Sequence, residues 1–290
     1  MTRMNNKISK FAAKVMAISA ILCYLSSCQF SIKKGKDNNV KFDSIMVDRS
    51  YHLLDNMENP NCNLQINFVY PVSANKDILP TLQKEFVSAY FGEAYDTLSP
   101  SQAVKKYSDD YIAAYKDLEE DFKNAQKDNE SSSIQSWFSY YESSSSDIIF
   151  NKDDVLSFTV NFENYTGGAH GSHSHNHYVI DLSNGQRLNE GDIFVDDYQS
   201  QLSQILIHQL AKQYNLSDPK ELENVGIFSI DEIYPNNNFY IDETGITYTY
   251  NEYEIAAYVV GPIFIHLSYK QIEFLLKPDS PVKRISRKDK

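Results

Sequence analysis

The sequence predicts an α+β protein, with antiparallel sheets, segregated helices and a two-part body. Three observations carry this. Short segments alternate apolar and polar residues with the period of two expected of half-buried strands. Longer stretches repeat their apolar residues at helical spacing instead. The strands do not interleave one by one with helices, so the pattern of a wholly parallel sheet is missing.

In chain order, the first strand is Leu64, Ile66 and Phe68, ending at Pro71, with Phe42 to Val47 as its partner. From Leu79 to Phe91, the residues Leu82, Phe86, Val87 and Tyr90 recur at helical spacing. Ser99-Pro100-Ser101 signals a helix start with proline in the first turn. Its stripe of Val104, Tyr107, Tyr111, Tyr115, Leu118 and Phe122 reads as core, and the helix is predicted to reach about Gln126. Ile134 to Tyr141 and Val155 to Phe162 are aromatic and branched without helical period, and are predicted as strands. The serine run Ser143 to Ser146 is predicted as a loop between them.

A further strand, His173 to Leu182, ends at the tight-turn signal Asn184-Gly185. Leu202, Ile205, Leu206 and Leu210 mark a helix from Tyr198 to Gln213. Phe239 to Asp242, Ile246 to Tyr250 and Ile263 to Leu267 are predicted strands, and Tyr269 to Leu276 a closing helix.

Ahead of this body, Arg3, Lys7, Lys10 and Lys14 precede an apolar run from Val15 to Leu25 that is too short to cross a bilayer stably. That is a secretory signal pattern. It closes on Leu25-Ser26-Ser27-Cys28, which resembles the bacterial lipobox, so Cys28 is the expected lipidation site and mature N-terminus. The expected organisation is a signal peptide (1–27), a tether (28–40), an N-terminal α+β domain (41–172), a C-terminal α+β domain (173–278) and a basic tail (279–290). The expected location is the cell envelope, on a bacterial membrane and facing away from the cytoplasm.

Loss of the four leader cations would take the net charge from −12 to −16. Nucleic acid is not an expected partner, because the basic residues cluster only in the tail, at Lys283, Arg284, Arg287, Lys288 and Lys290. The tail itself reads as a solvated end. Cys62 is the single cysteine of the folded part, which excludes an internal disulfide there and reads as a small buried hydrophobe.

No nucleophile elbow, metalloprotease helix, P-loop or dinucleotide fingerprint occurs, which lowers the standing of an enzyme reading. The concentrated reactive set is His170, His173, His175 and His177. At strand period the last three share a face, with neighbours about 7 Å apart, so two of them could chelate one Zn²⁺ ion. His173 and His177 would lie about 13 Å apart, too far for all three to do so. The plainer reading, an exposed polar strand face with no cofactor, is preferred. A metal-dependent hydrolase built on these histidines is the alternative, and a structural spacer a third. Glu252 and Glu254, two apart, read as a solvated pair.

One motif runs Asn164-Tyr165-Thr166-Gly167-Gly168-Ala169-His170-Gly171, then Asp181-Leu182-Ser183-Asn184-Gly185-Gln186, then Leu188 and Gly191-Asp192-Ile193-Phe194. A second runs Phe239-Tyr240, Gly245-Ile246, Tyr253-Glu254-Ile255-Ala256, Tyr258 and Gly261-Pro262, ending in a strand that leads to Tyr269 and Leu275-Leu276. In this order they resemble the extracytoplasmic domain family shared by the anti-sigma factor RsiV and the peptidoglycan deacetylase PdaC, over roughly Lys41 to Lys277. The resemblance implies a two-part α+β ectodomain acting as a binding module, with lysozyme or peptidoglycan as possible ligand. Tyr165, His170, Tyr253 and Tyr258, which lie in the two motifs, are the candidate ligand-binding residues. PdaC's deacetylase activity resides in a separate catalytic domain and RsiV carries a cytoplasmic sigma-binding segment, so neither deacetylase nor anti-sigma activity is expected from the resemblance.

Overall fold

A computed structural model describes residues 35–127 and 131–286. The expected signal peptide, Cys28, the start of the tether and residues 287–290 of the tail lie outside the described residues.

The first sheet opens with β1 (Lys41–His52) and β2 (Asn61–Ser73), paired antiparallel with Ile45 opposite Phe68 and Val47 opposite Ile66. Next comes β3 (Tyr140–Lys152), parallel to β2. A parallel neighbour needs a crossover connection. Four helices supply it: α1 (Leu79–Phe91), α2 (Pro100–Lys116), α3 (Glu119–Lys127) and α4 (Ser131–Phe138). The sheet continues antiparallel through β4 (Val155–Tyr165), β5 (Ser172–Asp181) and the short β6 (Gln186–Arg187).

The remaining chain adds α5 (Glu190–Ile193), α6 (Tyr198–Gln213) and a second sheet of β7 (Phe239–Ile241), β8 (Gly245–Tyr250) and β9 (Ile263–Ser268). It closes with α7 (Tyr269–Ile272) and α8 (Pro281–Ser286). The mixed architecture with mostly antiparallel sheets is the predicted α+β class.

Alternation decides which side each strand residue faces. On one face of the first sheet Leu64, Ile66, Phe68, Leu156, Phe158, Val160 and Ile180 meet Leu82, Phe86, Val87 and Val104 of the helices. The Phe86 ring stacks on Phe158 with centroids 3.9 Å apart. The opposite face contributes Phe150, Val155 and Val179 to a second core, shared with Leu202, Leu206 and Leu210 of α6 and with Ile241, Ile246 and Ile265. Cys62 is fully buried, and burial pushes its thiol up to about 11.

Four expectations are corrected. The single helix to Gln126 is two, interrupted at Asp117 and Leu118, because Glu119 turns aside to accept the Tyr51 hydroxyl (2.7 Å) and the Leu54 amide (3.1 Å). Ile134 to Phe138 is helical rather than extended: Ile134 is buried in a cluster with Phe122, and the Phe138 ring meets Phe122 at 5.4 Å. The serine run is no loop but the middle of β3, held by β2 on one side and β4 on the other. The tail is not wholly solvated either, since α8 buries Val282 and Ile285 and pairs Lys283 with Glu273 at 3.6 Å.

The described end of the tether is also held. Lys36 and Asn38 bond the tip of the β3–β4 hairpin through Asp153, Asp154, Asn151 and Val155. The expected division at residues 172 and 173 falls at the start of β5, which pairs with β4 from Ser172 to Asp181.

Candidate functional site

Beyond its contact with β6, strand β5 is a sheet edge with backbone groups to satisfy. Side chains from the second half of the chain do this. The amides of His173, His175 and His177 donate to Glu252 Oε2 (3.4 Å), Asn251 Oδ1 (2.7 Å) and Asn238 Oδ1 (2.9 Å). The His175 carbonyl accepts from Asn238 Nδ2 at 2.9 Å. Ser157 Oγ on β4 accepts the Ile241 amide at 3.1 Å. Three polar side chains therefore stand where another strand would lie, and they fix the Asn251-Glu252-Tyr253 segment against the histidine strand.

That placement builds a corner at the far end of β4 and β5. The loop between them closes through Tyr165, whose hydroxyl donates to the Gly168 carbonyl at 2.9 Å. Gly167 takes φ +81°, and a side chain there would press on the Trp137 carbonyl at 2.7 Å, so glycine is required twice over. The loop lays the His170 ring on Tyr258, with centroids 4.1 Å apart. His170 Nδ1 lies 2.8 Å from the Gly171 carbonyl; a carbonyl only accepts, so Nδ1 carries a proton, and Nε2 lies 3.2 Å from the Tyr253 hydroxyl. Tyr253, held at φ +67°, is more than half exposed.

The floor is the open face of the first sheet. Register places Tyr141 beside Tyr165, Ser143 beside Glu163 and His173, and Ser145 beside Asn161 and His175. The Tyr141 and Tyr165 rings stack at 6.3 Å, and the Tyr141 hydroxyl donates to Glu163 Oε1 at 2.7 Å. That bond pushes the Tyr141 hydroxyl above its ordinary range, with further contributions from burial, the Glu163 charge and Tyr258. Tyr258 is raised as well, by burial first and then by Glu252, Tyr253 and Glu163. His173 sits between the carboxylates, Nδ1 at 3.2 Å from Glu252 and Nε2 at 3.6 Å from Glu163.

Tyr165, His170, Tyr253 and Tyr258 are thus gathered at one corner with His173. His175 and His177 lie farther along the same strand face. His175 Nδ1 faces Asn161 Oδ1 at 2.8 Å, and burial followed by His173 lowers its pKa. His177 is buried, edge-on to Tyr240, with neither ring nitrogen bonded within the protein, and burial lowers its pKa to about 4. Among the described residues, no three His, Cys, Asp or Glu side chains are gathered as metal ligands. Sequence reading missed Tyr141, Glu163 and Asn251. The strand period was the available signal, since counting back from the loop puts Glu163 on the face of His173.

Among the described residues, no helix is long and apolar enough to cross a membrane. Residues 191–270 match the family described as "Protein of unknown function (DUF3298)", and residues 41–173 match "Deacetylase PdaC". A solved DUF3298 family member from Bacteroides fragilis is 34% identical, covers 87% of this chain and 99% of its own, and superposes with a TM-score of 0.81. A DUF3298 protein from Pseudomonas aeruginosa shares the fold at 15% identity, with 83% and 96% covered and a TM-score of 0.57. No curated protein matches.

Proposed function

The chain belongs to the DUF3298 family, and from that premise we propose that it is a lipid-anchored binding module of the cell envelope, engaging its ligand at the tyrosine–histidine corner. The observation that supports this is the aromatic group of exposed Tyr253 and His170 with half-buried Tyr258, at the end of the polar strand face. Flat rings beside fixed polar groups suit a binding surface. The ligand is a protein such as lysozyme or a cell-wall glycan such as peptidoglycan.

The chain enters the body at the tip of the β3–β4 hairpin, and the corner sits at the opposite end of β4, about 35 Å away for eleven residues.

Two measurements test the reading. Fatty-acid labelling of cells should mark the wild-type protein and not Cys28→Ala; labelling of both, or of neither, defeats the anchor. Titration of lysozyme and of soluble peptidoglycan fragments should give binding to at least one that Tyr253→Ala/Tyr258→Ala weakens about tenfold or more. Binding to neither, or unchanged binding in the variant, removes the corner as the ligand site.

A further inference from the structure

We propose that the corner recognises a cation, a lysine ammonium or arginine guanidinium of a protein ligand, held among tyrosine rings and Glu163. This rests on the corner being the ligand site and adds the chemistry it selects.

The first support is the rings. The Tyr141 and Tyr165 rings stack at 6.3 Å beside Glu163, and the Tyr253–Tyr258–His170 group lies next to His173, whose ring is 6.5 Å from Tyr258. Aromatic faces carry negative potential and attract cations.

The second is charge. Across the open face, the paired rows Ser50, Asn63, Tyr141, Tyr165; Asp48, Gln65, Ser143, Glu163, His173; and Met46, Asn67, Ser145, Asn161, His175 contain no lysine or arginine. Asp147, bonded to Asn161, and Glu252 add further negative charge beside them. Other surface acids in the fold do have strong cations: Asp109 has Arg49 and Lys105, and Asp110 has Lys106. Among the described residues, Glu163 and Glu252 are paired only with His173.

The third is capacity. Glu163 is 46% exposed, and two contacts leave carboxylate lone pairs for an incoming donor. Glu252, 11% exposed, lends its charge from behind. An anionic ligand, including a wall polymer bearing carboxylates, would meet like charge here. A cationic side chain meets opposite charge and ring faces together.

The test uses the mature chain with three probes: a hexa-arginine peptide, the same peptide with citrulline throughout, and an N-acetylglucosamine tetramer. Hexa-arginine should bind, with the neutral analogue at least about tenfold weaker. Glu163→Gln, which retains the Tyr141 hydrogen bond, should weaken hexa-arginine about tenfold, and Tyr258→Leu by several-fold. Glu93→Gln/Asp117→Asn, which removes two charges on the helix side, should change it by less than about twofold.

Equal weakening by the helix-side control overturns the proposal, because the attraction would then be general. Binding of the sugar tetramer that Tyr258→Leu abolishes, without binding of hexa-arginine, overturns the cation and keeps the corner as a ligand site. No effect of Tyr258→Leu on any probe overturns both.

Discussion

His177 carries the clearest unfavourable burial at a single residue. Its ring packs on Tyr240 and lines a cavity of ≈ 130 Å³ with Arg187, Asn189 and Asn237, yet neither nitrogen is bonded within the protein. Charging such a ring is opposed by desolvation, which sets its pKa at about 4 against the ordinary 6.5. The unfolded chain therefore binds this proton first as pH falls. Stability drops between pH 6.5 and 4, by about 2 kcal/mol at pH 5 from this residue alone. His177→Phe should remove that loss, so urea unfolding at pH 7 and pH 5 should show a smaller decrease than in wild type. An equal decrease would mean the ring does not titrate as placed. Glu142 is its counterpart under the helices: burial raises its pKa, while the Tyr107 hydroxyl, donating at 2.6 Å, opposes the rise.

Strand β3 shows at the scale of an element how pairing overrides composition. Four consecutive serines favour turns by their local hydrogen bonding. Here Ser144 and Ser146 point under the helices, where the Tyr90 hydroxyl donates to Ser144 at 3.0 Å and the Val69 amide to Ser146 at 2.9 Å. Ser143 and Ser145 keep the outer face low and polar. Because both edges of β3 are paired, Ser145→Pro should cost about 3 kcal/mol or more and show as a large drop in melting temperature. A loop would tolerate it. The terminal helix α8 gives a similar contrast, for truncation after Ser280 removes buried Val282 and Ile285. We expect a loss of about 3 kcal/mol, read from the urea midpoint, where a solvated tail would give none.

Over the whole molecule, the two halves are joined by polar groups at one end and by apolar packing at the other. Phe150, Val155 and Val179 enter the second core, whereas Asn238, Asn251 and Glu252 satisfy the edge of β5. Such a polar joint fixes orientation more than it adds stability, because each bond replaces one with water. Asn238→Ala should cost about 1 to 3 kcal/mol and accelerate hydrogen exchange at the His177 amide, with core strand β8 less affected. Uniform acceleration would show that the joint and the core open together. The same joint sets the Asn251-Glu252-Tyr253 segment beside His173, so the corner exists only when both halves are docked.

Local rules were enough for the α+β class, for the helices at Leu79–Phe91 and Tyr198–Gln213, for the Asn184-Gly185 turn and for the two ordered motifs, because periodicity and turn chemistry act over a few residues. The motifs also pointed to Tyr165, His170, Tyr253 and Tyr258, which the fold gathers. The serine strand, the helix break at Asp117 and the docked tail depended on partners distant in sequence. So did the corner's charge: Glu163 and Glu252 belong to different halves and meet through His173. Alternation says which face a side chain takes, but only tertiary packing says what stands opposite it.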